Sequence, residues 1–250
     1  MLGELRQVGI KTPEAIGVPS ARNDAAFLAT VVGSTSVLAL VLGQLPGDWG
    51  FFGMYLSGGI SIAVLAVGSV APGLLQIPIN AFSNVFPDYR ERVLRHEAAH
   101  FLVGYLLGVP VVGYSLDLGK EHIDFLEARL ERKIVSAQRL SDGEIDTLAV
   151  VAMAGAAAEA MAFPEVVGQT ADLFDLQRAL NRAASPLAPS AQQNVTRWAV
   201  WQAAVLLRAN ASAYDALREA MARRASVADC IAAIEAAGAA QKAADAAARK

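Results

Sequence analysis

Two long uncharged stretches dominate the first third of the chain. Ala25 to Gly47 contains no Asp, Glu, Lys or Arg, and after Asp48 none occurs from Trp49 to Pro87. A helix of about 20 apolar residues crosses a hydrocarbon core. The pattern therefore predicts one span over about 25–45 and a second over about 51–70, joined by the tight turn Pro46-Gly47-Asp48. Together they would form a transmembrane helical hairpin. The remainder, Pro72 to Phe86, is interrupted by Pro72 and Pro78 and is too short to cross again, so it is expected at the interface or dipping back. Arg6, Lys11 and Arg22 precede the hairpin, Arg90, Arg92 and Arg95 follow it, and the connecting loop has no basic residue. That asymmetry predicts both ends on the cytoplasmic or stromal side.

Beyond Pro87 the period changes. Asp88 and Glu91 read as an N-cap and N3 pair, good helix formers follow, and Gly108 and Pro110 stop the run. Within it, Val93, His96, His100, Val103 and Leu107 recur at the 3, 4, 3, 4 spacing of a single buried stripe. Val111 to Leu118 alternates enough for a short strand or hairpin. Ser141 to Glu144 reads as a capping box opening a helix that ends near Met161. Further helices are predicted at about 170–183, 190–209, 213–224 and 226–235, with Trp198 and Trp201 as core packing. The alanine-rich tail 236–250 either extends the last helix or frays.

The fold class expected is mainly α: an N-terminal segment 1–24, a membrane region 25–87, and a helical domain 88–235 with a small β element. Composition agrees with that division, since 54% of the 250 residues are hydrophobic and 18% charged. The net charge of −3 gives no footprint for nucleic acid. A single cysteine, Cys230, allows no intramolecular disulfide. Residues 1–24 lack the apolar core of a secretory signal, and Glu4, Glu14 and Asp24 are uncommon in a transit peptide, so an imported protein would be numbered from near its mature end. The sequons at Asn194 and Asn210 should go unused on the expected side of the membrane.

The candidate chemistry lies in His96-Glu97-Ala98-Ala99-His100. Residues four apart share a helix face, so both imidazoles can hold one zinc ion while Glu97 serves as general base for an attacking water. Such a site normally needs a third protein ligand. Two candidates remain open: Asp172, in the first turn of a helix that Thr170 would cap, and Glu159, on the small-residue helix around Ala154–Ala160. His122, alone in a polar loop, reads as a surface residue.

The order of these features resembles the protease domain of FtsH-type membrane metalloproteases. HExxH is followed by a small-residue helix ending in Ala158-Glu159, then by a turn of the form Gly-x-x-x-Asp-Leu at Gly168–Leu173. The resemblance covers about residues 88–235. It implies His96 and His100 as zinc ligands, Asp172 as the third, Glu97 as catalytic base, and Glu159 as an acidic group near the site. It also implies that an edge strand in 111–118 binds extended substrate. Val93 to Asp117, with Leu118-Gly119-Lys120-Glu121 after it, further resembles plant and algal plastid proteins that are related to FtsH but lack its ATPase. Here too no ATPase fits between the hairpin and the HExxH helix. The nearest approach to a phosphate loop, Gly113 to Glu121, spaces its glycines one residue too far apart and has Glu121 where a hydroxyl should hold magnesium.

The leading expectation is a membrane-anchored zinc metallopeptidase without its own ATPase, in a chloroplast membrane (thylakoid or inner envelope) facing the stroma, or on the cytoplasmic face if bacterial. Its partners would be membrane lipid, unfolded protein or peptide substrates, and a separate ATPase or other membrane proteins. An oligomer is compatible with this reading. The alternative is a catalytically silent, FtsH-related assembly or regulatory subunit; a third reading, a soluble zinc hydrolase, would need no detergent.

Overall fold

Both expected spans form single helices. A computed structural model describes residues 2–11, 13, 16, 22–83, 86–117, 121–125 and 139–248. After a short α1 (Leu2–Gln7), α2 (Arg22–Leu42) and α3 (Asp48–Val70) pack as a hairpin. Helix α2 starts three residues before the expected span, taking in Arg22 and Asp24. The turn depends on Gly47, whose φ of 83° is a conformation that other residues resist. Close packing continues beyond it, since a side chain at Gly50 or Gly53 would strike Leu42 or Leu45. Farther along, the hydroxyls of Thr35 and Ser61 share a 2.5 Å hydrogen bond. The outer surface is apolar, with Leu40, Phe51 and Ile62 exposed.

The hairpin belongs to a compact unit, Ala21–Tyr89. Past α3 come a 3₁₀ turn, Pro72–Leu75, and α4 (Gln76–Ser83), which packs on the first turns of α2. Asn23 donates to the Ser83 hydroxyl at 2.9 Å, and Phe27, Phe82 and Phe86 stack edge to face. Arg22 forks onto Asp88 at 3.1 and 3.3 Å while lying 4.8 Å over the Phe86 ring. The segment expected at the interface is thus a short helix tied to α2, with residues 84 and 85 outside the described set.

The second unit comprises Met1–Ser20 and Arg90–Lys250, and α5 (Tyr89–Leu106) is its central helix. The narrow stripe expected on α5 is corrected here. Every residue from His96 to Gly104 except His100 is buried, because neighbours cover the helix on all sides rather than along one face. Gly108, at φ 75°, ends it as anticipated. Strands β1 (Val111–Ser115) and β2 (His122–Phe125) then form an antiparallel pair with Tyr114 opposite Ile123 and an irregularity between Val111 and Gly113. Phe125 leans on Gly104 so tightly that a Cβ there would collide with its ring. Leu118, Gly119 and Lys120 of the expected strand and turn lie outside the described residues.

The capping box is present: Glu144 accepts from the Ser141 backbone N–H at 2.9 Å and opens α6 (Asp142–Ala152). The long helix expected here breaks at Met153, and α7 (Ala154–Ala162) follows. Among the described residues, three runs are long and apolar enough to cross a membrane: α2, α3 and Asp142–Ala162. Two thirds of the third is buried within its own unit, where Ala149, Ala154, Ala156 and Ala157 are 0% exposed. Next come α8 (Gln169–Leu180), α9 (Pro189–Ala209), α10 (Ala211–Ala222) and α11 (Val227–Ala248). Helix α8 begins one residue earlier than expected, so Gly168 rather than Thr170 takes the cap position. Helix α11 runs through the alanine tail to Ala248, in keeping with alanine's helix propensity. Trp198 and Trp201 pack against the core.

Candidate metal centre

Three elements converge on one small polar site inside the second unit. Helix α5 supplies His96, Glu97 and His100; α7 supplies Glu159; the first turn of α8 supplies Asp172. His96, Glu97, Glu159 and Asp172 are all buried, at 8%, 7%, 2% and 8% exposure. Ionisable groups so enclosed persist only where they satisfy one another or a cation.

The two histidines are oriented by their outer nitrogens. His96 donates Nδ1–H to Glu159 Oε1 at 2.8 Å, and His100 donates Nδ1–H to the Val151 carbonyl at 2.8 Å. Both bonds leave Nε2 to face inward, and the two Nε2 atoms lie 3.1 Å apart. Two lone pairs facing each other at that distance repel unless a proton or a cation lies between them.

Asp172 closes the triangle. Its Oδ2 is 3.3 Å from His96 Nε2, and its Oδ1 is 3.3 Å from His100 Nε2. With zinc–nitrogen and zinc–oxygen bonds of about 2.0–2.1 Å, a tetrahedron has edges of about 3.3 Å. The two Nε2 atoms, and each Nε2 with one Asp172 oxygen, stand near that spacing, and His96, His100 and Asp172 form a group that could hold a metal ion, with ligand atoms all within 4.8 Å of one another. Two histidines and one carboxylate are also a donor set suited to zinc. Among the described residues Asp172 Oδ2 has no hydrogen-bond partner, which fits an atom set aside for a cation.

The charges are consistent with that arrangement. Burial alone would lower the His96 and His100 pKa values, but Asp172 outweighs it and raises both, His96 well above its ordinary value with help from Glu159. Burial would raise Asp172, and the two histidines instead hold it well below the usual carboxylate range. The Glu97 pKa is raised by its burial, partly opposed by His96 and His100, with further upward contributions from Asp172 and then Glu121. A carboxylate so poised accepts a proton more readily than an exposed one.

Glu159 stands behind the triangle, on the far side of the His96 ring. Besides His96 it accepts N–H bonds from Val167 at 3.0 Å and Gly168 at 3.2 Å, and Arg92 approaches its Oε2 at 3.4 Å. Burial would raise its pKa, but the His96 contact and the two backbone N–H groups keep it lowered and ionised. Of the two candidates left open by the sequence, Asp172 lies within the triangle and Glu159 buttresses it. His122, half exposed and 3.1 Å from Asp124, is no part of this group.

Several contributors are not visible in the motif. Arg92 is 5% exposed, donates to the Glu165 carbonyl at 2.8 Å and lies 4.0 Å over the Phe163 ring. The signal for it is the four-residue spacing to His96, which places both on one helix face, but an arginine close to a hairpin reads as a topology determinant. Glu121 acts on Glu97 from the β1–β2 connection. Gly155 and Gly168 flank the His96 ring so closely that a Cβ on Gly155 would overlap it, and one on Gly168 would sit 2.8 Å from both Glu159 Oε1 and His96 Cε1. No protein-family model, curated protein or solved structure matches this chain.

Proposed function

We propose that the chain is a membrane-anchored zinc metallopeptidase that hydrolyses peptide bonds without an ATPase of its own. The observation that carries this reading is the convergence of His96 Nε2, His100 Nε2 and the Asp172 carboxylate, with the nitrogens 3.1 Å apart and each 3.3 Å from one of its oxygens, and buried Glu97 on the same helix as the histidines. The resemblance to FtsH-type proteases supports peptide rather than another substrate.

Zinc held by His96, His100 and Asp172 would supply a Lewis acid that polarises the scissile carbonyl and acidifies water. Glu97 takes the proton from the attacking water, then returns it to the departing amine. Glu159 keeps His96 in the tautomer whose Nε2 is free, and Val151 does the same for His100. A cavity of about 310 Å³ lies beside β1, lined by Gly113–Asp117 and Arg224–Val227, and suits an extended chain segment added to the strand.

Helices α2 and α3 serve as the two spans, with both ends on the cytoplasmic or stromal side. A plastid membrane is the setting that the resemblance favours. Substrates are unfolded polypeptides or flexible ends of membrane proteins, delivered unaided or by a separate ATPase. The test is the full chain in detergent micelles, measured for bound zinc and for chelator-sensitive cleavage of an unfolded polypeptide without ATP. One zinc per chain with cleavage supports the proposal. Zinc without cleavage favours an assembly subunit, and no zinc removes the site itself.

A further inference from the structure

Gln169, the first residue of α8, is 0% exposed, and neither its Nε2 nor its Oε1 has a hydrogen-bond partner among the described residues. A buried amide left wholly unsatisfied is rare enough to require a cause. One turn on, at the i+3 position that shares its face, Asp172 Oδ2 is also buried and unpartnered. One helical turn thus carries a two-hydrogen donor and a bare carboxylate oxygen that do not meet.

Their surroundings explain why. The Gly168 N–H is bound to Glu159 and its Cα lies against His96, so the backbone beneath Gln169 is pinned. The Asp172 carboxylate meanwhile lies between two histidines, each of its oxygens 3.3 Å from one Nε2. Once a divalent cation shares those nitrogens and one carboxylate oxygen, the other oxygen no longer faces an imidazole. The unsatisfied donor on the same helix face is Gln169 Nε2.

We infer that Gln169 is a positioning residue for Asp172: with a cation in the His96–His100–Asp172 group, its Nε2 donates to the carboxylate oxygen that the cation leaves free. The inference rests on the metal reading of that group. The side-chain type is specific to this role. Leucine has similar bulk but no donor, and glutamate would set a second carboxylate against the first. Hydrogen bonds of this kind fix a ligand's orientation and raise metal affinity without touching the metal.

The experiment uses the full chain in detergent, stripped with chelator and titrated with cobalt(II), whose visible absorption reports coordination. Gln169→Leu and Gln169→Glu are compared with wild type, and the thermal midpoint of each metal-free protein is recorded. The expected result is cobalt binding weakened about 10- to 100-fold in Gln169→Leu, with an altered visible band. Its metal-free midpoint should be no lower than wild type, because the amide lost was unsatisfied. Gln169→Glu should bind less tightly than wild type as well. Cobalt affinity and spectrum unchanged in Gln169→Leu would overturn the inference while leaving the metal site intact. A fall in the metal-free midpoint that accounts for the weaker binding would assign Gln169 a structural role instead. If wild type binds no cobalt, the metal reading fails and the inference with it.

Discussion

His96 and Glu159, 63 positions apart, are joined by a 2.8 Å hydrogen bond from Nδ1–H to Oε1. That bond selects the tautomer that turns Nε2 toward His100 and Asp172. It also links α5 to α7 at a point where Arg92 and two backbone N–H groups bind the same carboxylate. One acidic side chain is therefore shared between folding and the prospective metal.

Asp172→Asn and Glu159→Gln should separate those roles. Asp172→Asn removes a direct ligand and should abolish tight zinc binding. Glu159→Gln should weaken it about 10- to 100-fold, the usual effect of losing a partner behind a ligand. It should also lower the thermal midpoint, since Arg92 is left with less compensation in a buried setting. Isothermal titration of zinc into each variant decides the order, and a larger loss in Glu159→Gln would make Glu159 the third ligand.

Gly155→Ala should cost zinc binding even though alanine is the better helix former. A Cβ there overlaps the His96 ring, whereas one on Gly143, also in the first turn of its helix, meets nothing within 4 Å. Gly143→Ala is the control and should leave the midpoint equal or higher, by up to about 1 kcal/mol in stability. Equal zinc affinity in both variants would show that the His96 ring is not confined as described.

Zinc itself should stabilise the fold. A ligand present at 100 times its dissociation constant contributes about 2.7 kcal/mol, which in a protein of this size raises the midpoint by several degrees. Scanning calorimetry with and without chelator measures the difference. A midpoint indifferent to zinc in wild type would count against the site.

The hairpin makes a prediction independent of chemistry. With Leu40, Phe51 and Ile62 facing outward and polar contacts such as Thr35–Ser61 turned inward, the chain should stay with membranes through an alkaline carbonate wash and need detergent for release. Replacing Thr35 by Val should loosen the helix pair by about 0.6 kcal/mol, a typical value for such a bond in lipid. Release by carbonate alone would favour a soluble hydrolase.

The residues differ in how far the sequence revealed them. Periodicity and caps locate the HExxH helix and the Ser141–Glu144 box, and uncharged apolar runs locate both helices of the hairpin, because those signals are local. The choice between Asp172 and Glu159 depended on which carboxylate folds back onto the histidines, and only tertiary packing decides that. Arg92 escaped notice for the same reason, since its partners Glu159 and Glu165 are 67 and 73 residues away. The burial of α5 on all sides was hidden because Ala98, Ala99 and Gly104 carry too little hydrophobic weight to complete a pattern. The alanine tail has no amphipathic signal, yet it continues a helix anchored by Cys230 and Ile234, in keeping with alanine's backbone preference.

If Glu97 is a base beside a metal held by His96, His100 and Asp172, its amide variant keeps the metal and loses the chemistry. The decisive measurement pairs zinc content with ATP-free cleavage of an unfolded polypeptide, in wild type and Glu97→Gln, both in detergent. The expected result is one zinc per chain in both proteins, chelator-sensitive cleavage by wild type, and a loss of at least about 100-fold in the variant. Equal cleavage by the two zinc-loaded proteins would contradict it.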